Sequence, residues 1–84
     1  MTVTAYIFCK VKMGSIQKVV DMFREIGVAT SVVVTTGEFD VIVRVELPDL
    51  ESLYKLTVEE VCRIPGLEET TTAVVTHEIP LPSS

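Results

Sequence analysis

The groups in this 84-residue chain that could do chemistry are one histidine, two cysteines, a few hydroxyls and a scatter of carboxylates. Catalysis needs an acid, a base or a nucleophile converging on one point. His77 has Glu78 beside it, but neighbours on a strand point to opposite faces, so the two do not form a dyad by themselves. A structural or solvent-exposed histidine is the simpler reading. Ser15 stands where a helix cap belongs, and a cap explains it better than a nucleophile does. Glu51, Glu59 and Glu60 read as a solvated helix face, and Glu68-Glu69 as a self-repelling pair at a strand entrance. No His, Cys, Asp or Glu cluster has metal-ligand spacing, and no glycine-rich phosphate loop is present. Cys9 and Cys62 form no C-x-x-C and read as reduced, buried small hydrophobes. The expectation is a chain with no catalytic residue, no metal and no cofactor.

Two other groupings suit binding rather than catalysis. Thr36-Gly37-Glu38-Phe39-Asp40 is a turn between two apolar runs. A glycine-containing hairpin offers backbone N–H groups to a carboxylate, and Asp40 can attract an ammonium. Thr70, Thr71 and Thr72 add hydroxyls that can meet a polar side chain. Together they would suit a zwitterion. The same residues also read as an ordinary hairpin and an edge strand of threonine-rich β-formers, and spacing alone leaves both readings open.

The elements that must position these residues are clear. Val3, Ala5, Ile7, Cys9 and Val11 alternate as a strand does. After Met13-Gly14 the period lengthens, and Ile16, Val19, Val20, Phe23 and Ile26 form a helical stripe that Gly27 would close. A second strand spans Val28 to Thr36 and a third Asp40 to Leu47, with Val41, Val43, Val45 and Leu47 on one face. Asp49 caps a second helix from Leu50 to Arg63, with Leu50, Leu53, Tyr54, Val58, Val61 and Cys62 expected to be buried. A final strand is expected from Leu67 to Ile79. This β-α-β-β-α-β order predicts an α+β, ferredoxin-like fold. The antiparallel sheet takes strand order 4-1-3-2, with both helices on one face. Residues 1–80 form the domain and residues 81–84 a loose tail.

The opposite, helix-free face carries Tyr6 and Phe8 from the first strand and Ile42 from the third, beside second-strand valines. An apolar patch of this kind marks an interface. Packing against a second copy would hide it and supply burial that so short a chain lacks.

Composition narrows the partners. Twelve acidic and seven basic residues leave a net charge of −5, which disfavours nucleic acid and anionic membranes. No apolar run approaches a membrane span and no signal peptide is evident, so the cytoplasm is expected. An RNA-recognition module would carry aromatic and basic strand residues, which Phe39-Asp40-Val41-Ile42-Val43-Arg44-Val45 lacks. A heavy-metal chaperone would show paired cysteines in the first loop, where Lys12-Met13-Gly14-Ser15 has none.

The hairpin Thr36-Gly37-Glu38-Phe39-Asp40-Val41-Ile42-Val43, the helix after Pro48-Asp49, and the close Pro65-Gly66-Leu67-Glu68-Glu69-Thr70-Thr71-Thr72-Ala73-Val74-Val75 resemble the effector-binding (RAM) domain of the Lrp/AsnC family in order and over almost the whole chain. Gly66-Leu67 stands where that family usually has Gly-Val. The resemblance implies a dimer through the sheet face and assembly of dimers into tetramers, octamers or rings. It also implies an amino-acid effector held between dimers by Gly37, Glu38, Phe39 and Asp40, with Thr70 and Thr72 near. Full-length members carry an N-terminal helix-turn-helix domain, whereas this chain starts at the first RAM strand. It therefore resembles a stand-alone RAM domain that would act by co-assembly with a full-length regulator. The competing readings are a small enzyme of the dimeric α+β-barrel type, with a pocket inside the monomer reached by His77, and a ligand-free assembly module.

Overall fold

A computed structural model describes residues 2–82. The alternating apolar residues of the first segment form β1 (Val3–Val11), in which Ala5, Ile7, Cys9 and Val11 are buried. α1 (Ile16–Arg24) buries Val19 and Phe23. β2 (Ala29–Val34) and β3 (Val41–Leu47) follow as a hairpin, then α2 (Leu50–Lys55) and β4 (Leu67–Val74). The strands make one antiparallel sheet in the order β2-β3-β1-β4, the expected ferredoxin-like arrangement. The two central strands are those with complete alternation, because only they are covered on one face along their whole length. β4 shows no such pattern: it is an edge strand and almost all of it is exposed.

Several local expectations are corrected. The hydroxyl of Ser15 makes no cap hydrogen bond; the residue sits at φ −106°, ψ 2°, outside the extended region that a side-chain cap requires. Its backbone carbonyl still accepts from the Val19 amide at 3.0 Å. α1 ends at Arg24, and Gly27 lies in the turn beyond it without a positive φ, so it is not the cap glycine. Asp49 does cap α2, accepting from the Ser52 amide at 2.7 Å, and that hydrogen bond holds its carboxyl below the usual range.

The buried stripe of the second helix differs most. Leu53, Leu56, Val61 and Ile64 face the core, while Leu50 and Tyr54 are 60% and 67% exposed and Val58 and Cys62 also lie outside. The helix is regular only to Lys55. It then widens into a π-turn at Leu56–Glu60 and tightens into a 3-10 turn at Val61–Arg63. A π-turn bonds i to i+5, so Val61 comes to lie over Leu56 and the stripe shifts off the 3.6-residue period.

β4 stops at Val74 rather than Ile79 because its partner runs out. The Val75 amide donates to the Thr4 carbonyl at 2.9 Å, and β1 begins at Val3. His77 therefore lies past the sheet, and residues 75–82 have no regular structure. Of the expected tail, Leu81 and Pro82 are described; its two serines lie outside the described residues.

Candidate functional site

The β2–β3 hairpin is closed by hydrogen bonds among its own residues. The Thr35 amide donates to the Asp40 carbonyl at 2.9 Å, and the Thr35 hydroxyl to the Phe39 carbonyl at 2.8 Å. Gly37 has φ +118°, a left-handed conformation that a residue with a Cβ resists, and its surroundings are open. Glu38 is exposed at the tip. Phe39 folds back so that its ring lies 5.3 Å from that of Phe8, tilted by 49°. Phe8 stands directly opposite Ile42, and Ile42 opposite Val33. The hairpin thus joins the half-buried aromatic patch on the helix-free face. At the other end of that face Tyr6 stands opposite Arg44, whose guanidinium pairs with Glu46. The hydrogen bonds its guanidinium donates to Glu46 and then Tyr6 hold Arg44 above its ordinary pKa.

Asp40 has a task in the fold that its sequence position did not disclose. One carboxylate oxygen, Oδ2, accepts from the Val11 amide at 2.8 Å. The pairing of β1 with β4 shifts register between Lys10 and Val11, and the carboxylate satisfies the amide at that irregularity. Among the described residues Oδ1 has no hydrogen-bond partner.

Thr70 and Thr72 are not brought to Phe39. They stand opposite Cys9 and Ile7, which places them on the helix side of β4, whereas Thr71 stands opposite Phe8 on the helix-free side. Val41 and Thr70 flank Cys9 from its two sides, roughly 10 Å apart across two strand spacings. Thr70 borders a hollow of about 180 Å³ between the 3-10 turn and the start of β4, lined also by Val61, Cys62 and Leu67. Within one copy the hairpin and the two threonines share one end of the sheet but face different ways.

The two cysteines differ sharply. Burial pushes the Cys9 thiol up to about 12, so it remains protonated through the physiological range. Cys62 is exposed. A thiol reagent at pH 8 should modify one equivalent on the native protein, at Cys62, and a second only after unfolding. Two equivalents reacting at one rate would contradict the packing around Cys9. Ionised Cys9 is tolerated in the unfolded chain but not in the core. The stability this residue contributes is therefore intact below about pH 9 and is lost as pH rises toward 12.

A family model of the Lrp/AsnC ligand binding domain matches residues 4–81. The chain belongs to this family. No curated protein matches its sequence. Among solved structures, hypothetical protein PHS023 from Pyrococcus horikoshii is 28% identical, with a TM-score of 0.84 over 90% of this chain and 92% of that one. E. coli AsnC shares 16% identity and the fold, with a TM-score of 0.89 over 98% of this chain and 56% of AsnC. The transcriptional regulator NMB0573 from Neisseria meningitidis, solved as a complex with L-Met, shares 17% identity and a TM-score of 0.87 over 98% of this chain and 55% of that regulator. The chain thus spans nearly all of PHS023 and just over half of AsnC and NMB0573.

Among the described residues no group of His, Cys, Asp and Glu is placed to hold a metal ion, and no helix is long and apolar enough to cross a membrane. His77 lines none of the hollows beside α1, against β2 and around the turns after α2.

Proposed function

We propose that this chain is the small-molecule-sensing part of a cytoplasmic regulatory homo-oligomer, with amino acids as its ligands. The match of the Lrp/AsnC ligand binding domain to residues 4–81 carries this reading. The L-Met bound by the Neisseria regulator favours amino acids as the class to test first. The ligand site comprises Gly37, Glu38, Phe39 and Asp40 of one copy and Thr70 and Thr72 of another. These groups face apart within one copy, so a ligand touching both needs two. Turn amides near Gly37 receive the carboxylate, and the free Oδ1 of Asp40 receives the ammonium. The helix-free face with Tyr6, Phe8 and Ile42 forms the dimer, and dimers then assemble further. A full-length Lrp/AsnC-type regulator is a fitting co-assembly partner. The placement of His77 past the end of the sheet weighs against the barrel-type enzyme.

Calorimetric titration of the twenty amino acids is the direct test, with Asp40→Asn as the discriminating variant. Asparagine can still accept from the Val11 amide, so fold and dimer should survive. Loss of the charge-assisted contact should weaken binding by about 1.5–3 kcal/mol, roughly ten- to a hundredfold. A wild-type protein that binds no amino acid at millimolar concentration removes the sensing reading. A variant that melts early but binds normally removes Asp40 from the site and leaves it only its tie to Val11.

A further inference from the structure

Glu68 and Glu69 are neighbours in the chain, and a regular strand would send them to opposite faces. β4 is not regular there. Leu67 stands opposite Val11 and Glu69 opposite Lys10, so Glu68 is an extra residue in β4, a bulge of the kind that re-aims side chains. Both glutamates consequently line the hollow of about 180 Å³ that Thr70 borders. Lys10 answers one of them, its ammonium lying 3.4 Å from the Glu69 carboxylate. Among the described residues Glu68 forms no ion pair, and neither Lys12 nor Arg63 lines the hollow.

The rest of the wall carries no charge. Val61 is buried, Leu67 is half-buried, and the Cys62 thiol donates to the Val58 carbonyl of its own turn. At about 30 Å³ per water, the hollow has room for several waters or for one extended side chain. Apolar walls beside an exposed carboxylate suit an aliphatic stem that ends in a positive charge. The hairpin half of the proposed site has the same sign: Glu38 is exposed and, among the described residues, forms no ion pair either.

We infer that the ligand is an amino acid with a cationic side chain, its aliphatic stem in the hollow at the start of β4 and its charge against Glu68. This rests on the sensing reading and narrows it. The ligand's own carboxylate and α-ammonium are met by the turn amides and Asp40, so the side chain alone answers to Glu68 and Glu38. A neutral side chain leaves both carboxylates unpaired in a contact that a second copy covers, and an acidic side chain is repelled by them. Discrimination among amino acids therefore comes from charge as much as from fit.

Two measurements on the full chain test it. The first is calorimetric titration with L-lysine, L-glutamate and L-norleucine, which has lysine's four-carbon stem without the ammonium. Lysine should bind about tenfold or more tighter than norleucine, the worth of one charge-assisted contact, and glutamate should bind weakest. In Glu68→Gln, a change at an exposed position, the ratio of lysine to norleucine affinity should fall to about a fifth or less of its wild-type value. Norleucine binding as tightly as lysine overturns the inference and leaves the sensing reading standing, since an amino acid still binds. A lysine preference that survives Glu68→Gln also overturns it, because another group then makes the selection. If no amino acid binds, the sensing reading falls and this inference with it. The second measurement uses Cys62, which lines the hollow, as a reporter of place. Saturating lysine should slow its reaction with a disulfide reagent at least about threefold, because access to the thiol sets the rate. An unchanged rate under saturating lysine overturns the assignment of the side chain to this hollow.

Discussion

Replacing Phe8 with lysine should convert the proposed dimer to a monomer at micromolar concentration. Phe8 lies at the centre of the helix-free apolar patch, with Phe39 folded against it, Ile42 opposite and Val33 one strand further on. In a dimer packed through this face the new ammonium would be enclosed among apolar side chains without a partner. An uncompensated buried charge of this kind costs about 3–5 kcal/mol, or two to nearly four powers of ten in the dissociation constant. The monomer fold should persist, because the side chain at position 8 points away from the core formed by Ile7 and Cys9. Sedimentation velocity with circular dichroism on the same sample separates dissociation from unfolding. An unchanged dimer with native circular dichroism would place the interface on another face.

The second large effect concerns Gly66, at the corner between the 3-10 turn and β4. Its φ is +95°, and a Cβ added there would come 2.7 Å from the Cβ of Ser15. The left-handed conformation alone strains alanine by about 1–3 kcal/mol, and the contact with Ser15 adds to that. The corner cannot yield cheaply, since the Gly66 carbonyl accepts the Lys12 amide at 2.7 Å and so ties β4 to the end of β1. Gly66→Ala should lower Tm by about 10 °C or more in a domain of this size. Adding Ser15→Gly should recover the steric part and leave the backbone part. A Tm within a few degrees of wild type, on the order of ordinary surface substitutions, would mean that the corner relaxes freely.

Where the sequence could be read, the reason was a periodic pattern with one physical cause. β1 and β3 alternate without interruption because one face of each lies under the helices, and the paired strands, crossover order and helix-free face all follow from them. The patch residues Tyr6, Phe8 and Ile42 fall on that face for the same reason. The stripe of the second helix was legible at Leu53 and Val61, which are buried as expected; Leu50 and Tyr54 lie on the exposed side of the regular helix before the π-turn, and the turn then sets Val61 over Leu56 and leaves Val58 outside. Thr70, Thr71 and Thr72 carry no alternation, so nothing in their identity tells which face each takes; only the register with β1 does. The packing of Phe39 on Phe8 and the bond from Val11 to Asp40 span 31 and 29 residues of chain, respectively, and neither leaves a local signal.

The wide turn at Leu56–Glu60 bears on how this domain tolerates changes in chain length. A turn closed from i to i+5 holds one residue more than an α-helical turn of the same span. Thr57, Val58, Glu59 and Glu60 bridge Leu56 and Val61, and the last three of them are exposed. A chain one residue shorter within that bridge can close an ordinary helical turn and still stack the two core residues. The π-turn is therefore a place where homologues can differ by a single insertion or deletion while the sheet, the hairpin and the patch stay in register.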